Sequence, residues 1–127
     1  MLLISGAALV ARAFLELLRY DLVYGLFGFR GIHRSLSRLR ATGPRGRDIE
    51  ASRRAMSYAT SLYWKQVLCL QRSVAMARLL RRDGFDASVV IGYRPVPFLS
   101  HAWVEIGERV VNDSQALRQR LLVLDRI

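Results

Sequence analysis

The order of hydrophobic periods along the chain predicts an α+β fold, with helices first and a small antiparallel sheet after them. Three observations carry that expectation. Apolar residues recur at helical spacing through three successive segments; the period then changes at the β-branched run ASVVIG (87–92); and SHAWVEIGERVVND (100–113) alternates as a β-hairpin does. At 127 residues the length suits one domain with a core of its own.

The first helix runs from about Ala7 to Phe29. Its stripe is Val10, Phe14, Leu17, Leu18, Leu22 and Leu26, with Arg12, Glu16 and Arg19 off that face. Such a stripe faces a core, or else docks a partner subunit. Gly25, Gly28 and Gly31 weaken any continuation beyond the mid-twenties. ATGPRGRD (41–48) is the clearest loop, and its Asp48 can cap the helix that follows. That second helix spans Ile49 to about Trp64, on the stripe Ser52, Ala55, Met56, Ala59, Leu62 and Tyr63. A third carries Leu70, Val74, Ala77 and Leu80 and stops at Gly84, after a basic last turn of Arg81 and Arg82 that suits the helix dipole. Pro95 and Pro97 then break the chain before the hairpin.

The charge is lopsided, 20 basic residues against 10 acidic, and 19 of the 20 are arginine. Such a balance suits nucleic acid, an anionic membrane or an acidic peptide. The arginines are scattered along the chain, however, and no zinc-finger, RNA-recognition or homeodomain pattern accompanies them. Arginine-rich codon usage accounts for the bias, and no nucleic-acid partner is expected. The opening MLLISGAALVA lacks a basic n-region, and Arg12, Glu16 and Arg19 follow too soon for a membrane span. A cytoplasmic protein is expected, with contact to a membrane left open. Cys69 is the only cysteine, so no intramolecular disulfide can form.

Cys69 falls where the third helix begins, and a helix N-terminus favours an anion. Lys65 and Arg72 flank it with positive charge. A thiolate becomes a working nucleophile when an imidazole shuttles its proton, and a carboxylate behind the imidazole fixes ring tautomer and orientation. The chain offers one candidate for each role, in the order Cys69, His101, Asp113. Taken singly, each has a plainer reading: a small buried hydrophobe, a satisfied histidine, a turn residue. No CxxC or HExxH spacing suggests a metal, and His33 in its arginine-rich run reads as a surface residue.

Alternation places His101, Trp103 and Glu105 on one face of the hairpin, and Ala102, Val104 and Ile106 on the other. A two-residue turn at Gly107 and Glu108 would set His101 opposite Ser114. A three-residue connection, or a bulge, would pair Glu105 with Arg109 and His101 with Asp113. The catalytic reading therefore predicts the three-residue register or its bulged equivalent.

The pieces CLQRS at Cys69, LLRRDGFDASVVIG, PF shortly before HAWVE, and VVND resemble the transglutaminase-like cysteine-peptidase core of lasso-peptide biosynthesis proteins of the B type. The resemblance covers residues 60 to 127 and fits the preceding helices more loosely. It implies a papain-like peptidase core over 48–127 behind a helical extension over 1–45. It also implies a catalytic triad of Cys69, His101 and Asp113, with no cofactor. In such a site the backbone N–H of Cys69 is the natural first oxyanion donor, and Gln66 or Trp64 the second. Tyr93, Phe98 and Trp103 are candidates for the substrate groove, although aromatics next to a small sheet more often serve packing.

The family has fused members, with a leader-gripping winged domain, and split ones. No strand-rich unit precedes the core here, so the chain resembles the split, B2 form. That form cuts a ribosomally made precursor between leader and core, commonly where threonine is the leader's penultimate residue. It works with a separate B1-type leader-recognition protein and ahead of an ATP-consuming cyclase. A transglutaminase or amidase using the same triad is the alternative, as is a scaffold without chemistry.

Overall fold

A computed structural model describes residues 6–41 and 49–127. The elements are α1 (Gly6–Arg38), α2 (Ile49–Leu62), α3 (Cys69–Arg82), β1 (Ala87–Pro95), β2 (Phe98–Ile106), β3 (Arg109–Val110), the short α4 (Leu117–Arg120) and β4 (Leu122–Arg126). The four strands form one antiparallel sheet in the order β3-β2-β1-β4. The architecture is α+β, as the order of periods predicts. Asp48, expected to cap α2, lies outside the described residues.

α1 is longer than its glycines suggest. The helix breaks at Gly28, whose φ of 67° and ψ of −159° are open to a residue without a Cβ, and then resumes to Arg38. The break folds a second arm back so that Ile32 and Leu36 reach the core that Leu9, Ala13 and Leu17 of the first arm already line. α2 contributes Ala55, Met56 and Ala59, and α3 contributes Val74, Met76, Ala77 and Leu80. Val89 and Val104 cover this helical core from the sheet. On the opposite face of the sheet Val90, Trp103, Val110 and Leu121 make a smaller cluster. The alternation expected of β2 therefore holds: Val104 and Ile106 face the helices, and Trp103 faces away.

β1 runs past ASVVIG to Pro95 and turns back through Val96 and a cis Pro97, so the prolines close the β1–β2 hairpin rather than precede a separate one. β4 was not anticipated as a strand. It is an edge strand paired with Val90 to Tyr93 of β1, where the register shifts between Ile91 and Gly92.

Arg81 and Arg82 form the basic last turn of α3, as expected, but Arg81 is buried. Its guanidinium donates to the carbonyls of Ala87, Leu36, Leu39 and Ile127, which ties the end of α3 to the end of α1, the start of β1 and the C-terminal residue. Its neighbour Arg82 is half exposed and pairs with Glu16 at 3.4 Å. No helix of the described residues is long and apolar enough to cross a membrane.

Candidate active site

Cys69 is the first residue of α3, following an extended Leu68. Its backbone N–H therefore has no partner four residues back within the helix and faces the chain that precedes it. α3 reaches the sheet at the open edge of β2. β3 is only two residues long, so beyond Glu105 the outer edge of β2 has no further strand. Val104 already directs its N–H and C=O toward that edge, accepting from Val111 N–H at 2.9 Å. By alternation the Ala102 carbonyl points the same way. Ser73, one helical turn beyond Cys69, donates to that carbonyl at 3.1 Å. Ser73 thus anchors the second turn of α3 to the edge of β2 that β3 leaves open, at the residue next to His101.

Asp113 arrives there by a route the hairpin rules did not foresee. The turn is the two-residue one: Ile106 pairs with Arg109 and Glu105 with Val110. Gly107 sits at φ +62°, suited to the first central position of a tight hairpin turn. The three-residue register is therefore overturned, and Glu105 does not face Arg109. The ladder instead dissolves after Val111. Asn112 turns its side-chain Oδ1 onto Val104 N–H at 2.8 Å, replacing a backbone carbonyl, and its Nδ2 donates to Ser73 Oγ at 3.3 Å. With the side chain of Asn112 doing the backbone's pairing, the main chain is free to bend. Asp113 swings to the imidazole: Nε2 of His101 lies 2.6 Å from its Oδ2. The other oxygen accepts the Ser114 N–H at 2.8 Å, so the carboxylate is fixed at both ends.

This contact decides the imidazole's chemistry. A carboxylate accepts from Nε2–H, so the neutral ring carries its hydrogen on Nε2 and presents Nδ1 as a bare acceptor. Both side chains keep over a quarter of their surface open, 27% for His101 and 29% for Asp113. Burial pushes the Asp113 carboxyl upward. The hydrogen bonds from His101 and Ser114, with the charges of His101 and Arg72, outweigh it and hold the group below the usual carboxylate range.

Behind His101 stands Trp103, its ring 6.4 Å away and inclined by 24°. Trp103 is fully buried and donates its Nε1–H to Glu105 at 2.8 Å, so it cannot line a groove. It backs the histidine from inside the smaller cluster. Gly92, which pairs with His101 across the ladder, makes the room: a Cβ there would meet the indole at 2.5 Å. Gly92→Ala is expected to destabilise the fold by about 2–3 kcal/mol through overpacking and to disturb the His101 ring. A urea titration with near-ultraviolet circular dichroism checks it, and an unchanged midpoint and spectrum would count against the packing role.

Of the other groove candidates, Phe98 is 75% exposed at the tip of the β1–β2 hairpin and Tyr93 is half-buried on β1. Gln66 and Trp64 are both exposed on the approach to Cys69, and Trp64 stacks on Tyr63 at 4.1 Å. Lys65 is not free beside the sulfur, because its Nζ pairs with Asp21 at 2.8 Å. Asp21, on α1, also accepts from Tyr63 Oη and from Gln71 Nε2, and Gln71 donates to the Leu17 carbonyl at 3.0 Å. This clamp straps the segment before Cys69 to the first helix. Sequence reasoning missed it, as it missed Ser73 and Asn112, since these partners lie far apart in the chain.

His101 and Asp113 are therefore in contact, and Cys69 stands one turn from the Ser73 anchor beside them. No hydrogen bond joins the sulfur to the imidazole among the described residues. Nor, among them, does any group of three or more His, Cys, Asp and Glu stand ready for a metal ion.

A family model described as the transglutaminase-like superfamily matches residues 14–126 of this sequence. The chain belongs to the transglutaminase-like superfamily. The match begins within α1 and includes the Asp21 clamp, Cys69, the β1–β2 hairpin and β4, so the superfamily unit takes in most of the first helix. The chain is also 46% identical, over 59 residues, to the microcin J25-processing protein McjB of Escherichia coli. That alignment covers 46% of this chain and 28% of McjB. No solved structure matches.

Three carboxyls here, those of Asp21, Glu105 and Asp113, are held below their ordinary range. Burial opposes the shift in each, and hydrogen bonds with neighbouring cations overcome it. Stability from such groups is present above the unfolded carboxyl range of about 4 and is lost as pH falls through the lowered folded values. Thermal unfolding is expected to stay nearly level from neutral pH down to about 5 and to drop below that. Asp113→Asn should flatten the acid limb, and an acid limb as steep in that variant as in the wild type would contradict the assignment.

Proposed function

We propose that this chain is a cysteine peptidase that removes the leader from a ribosomally made lasso-peptide precursor. The observation that carries the reading is the 2.6 Å contact of His101 Nε2 with Asp113, which leaves Nδ1 as the acceptor, at the sheet edge where α3 begins with Cys69. The likeness to a microcin-processing protein supports the substrate class.

Cys69 Sγ attacks the scissile carbonyl while its proton passes to His101 Nδ1. The oxyanion is held by Cys69 N–H and by a second donor from Gln66 or Trp64. The C–N bond breaks as the imidazolium returns that proton to the leaving amine. Water, deprotonated by the same Nδ1, then releases the leader carboxylate from the thioester and restores the thiol. Phe98 and Tyr93 border the path of the peptide. The chain acts in the cytoplasm with a B1-type leader-recognition protein, and an ATP-dependent cyclase consumes the freed core amine.

Incubation with a candidate precursor, with and without the recognition protein, tests this by product mass. Hydrolysis gives leader and core whose masses sum to that of the precursor plus water. A product bearing an added amine would instead establish acyl transfer, and an uncut precursor in every combination would defeat the proposal.

A further inference from the structure

The arginines scattered through the sequence converge in space. Arg12 and Arg19 lie on the first arm of α1, two turns apart on one face; Arg34 and Arg38 lie one turn apart on the second arm; Arg78 and Arg82 lie one turn apart on α3. The fold of α1 at Gly28 brings these pairs around two adjoining clefts. One, of about 390 Å³, is lined by Arg19, Arg34, Arg38 and Arg78 over an apolar floor of Val23 and Phe27. The other, of about 570 Å³, shares Arg19 and Leu39 with it and adds Arg12 and Arg82.

Against six cations stands one carboxylate. Glu16 is buried and already engaged by Arg78 at 2.9 Å and by Arg82 at 3.4 Å. Among the described residues, Arg12, Arg19, Arg34 and Arg38 have no acidic partner. Like charges one turn apart repel, so this cluster works against the fold unless something neutralises it. Codon bias explains the count of arginines but not their gathering on one side. The groove lies toward the C-terminal end of α3: at 1.5 Å per residue its Arg78 and Arg82 stand about 14 and 20 Å along the axis from Cys69.

We propose that this groove is a docking site for an acidic segment of a separate partner protein. Guanidinium forks match carboxylates in pairs. The cleft between the arms, with Val23 and Phe27 in its lining, takes a side chain of an alternating acidic and apolar strand or helix, whereas a flat lipid surface or a nucleic-acid backbone would leave it unfilled.

The test needs no turnover and so stands apart from the peptidase reading. Binding of a short fluorescein-labelled peptide of alternating glutamate and leucine is measured by anisotropy, with a glutamine-for-glutamate peptide as control. Arg34→Glu with Arg38→Glu is compared with Arg109→Glu with Arg120→Glu, which changes net charge equally on exposed residues elsewhere. Circular dichroism confirms that both variants fold. The proposal expects the groove variant to weaken the glutamate peptide roughly tenfold or more, the other to change it less than about twofold, and added salt to erase the difference. Equal losses in the two variants, or equal binding of both peptides, would overturn it. So would tighter binding of a short DNA duplex or of phosphatidylserine vesicles with the same dependence on Arg34 and Arg38.

Discussion

Cys69→Ala is expected to abolish precursor cleavage, lowering the rate by roughly three orders of magnitude or more, while the fold survives. The sulfur is the sole nucleophile proposed, and Cys69 is only partly buried at the first position of α3. His101→Ala should cost about as much, since a thiol without a proton acceptor is a poor nucleophile. Combining the two should cost little more than either, because the pair acts as a unit. Asp113→Asn is the informative intermediate. The amide can still accept from Nε2–H through its oxygen, but it can also turn its NH₂ to the ring and favour the wrong tautomer, at a loss on the order of 10²–10⁴. Single-turnover cleavage followed by mass spectrometry separates these cases. Cleavage by Cys69→Ala at the wild-type rate would remove the nucleophile from the scheme and leave the scaffold reading in its place.

Much of that site was legible in sequence because its parts are bound to local patterns. The stripe of Val74, Ala77 and Leu80 fixes where α3 runs, and with it the place of Cys69 at its start. Alternation along β2 fixes the faces of His101 and Trp103. What failed was inference that needed the third dimension. The register rule compared two hairpins made only of backbone pairs, and the actual one ends because Asn112 substitutes a side-chain amide for a carbonyl. Trp103 read both as a groove candidate and as packing, and only the absence of a side chain at Gly92, which lets the indole sink inside, decides for packing. Asp21, Tyr63 and Gln71 gave no local signal. Asp21 and Gln71 were polar residues beside apolar stripes and Tyr63 read only as part of one, and it is the packing of α1 against α2 and α3 that joins them. The arginines misled in the same way, since scatter along a chain says nothing about convergence when a helix folds back at Gly28.

The pair Arg81 and Arg82 shows how far burial can separate neighbours of identical chemistry. Arg81→Ala is expected to lower stability by about 3–5 kcal/mol and the melting temperature by roughly 10–20 °C. Four carbonyls, from Ala87, Leu36, Leu39 and Ile127, lose a charged donor at once, and their positions at the junction of α1, β1 and the C-terminal residue leave little room for water to replace it. Arg81→Lys keeps the charge but replaces a planar fork with a point, so it should recover less than half of the loss. Arg82→Ala removes an equal charge from the same helical turn. Its side chain is half exposed and its one carboxylate partner keeps Arg78, so the cost should stay within about 1 kcal/mol. Denaturant titrations of the three variants decide the matter. Equal costs at the two positions would mean that helix-end electrostatics, which both share, governs this turn, and that the carbonyl network contributes nothing of its own.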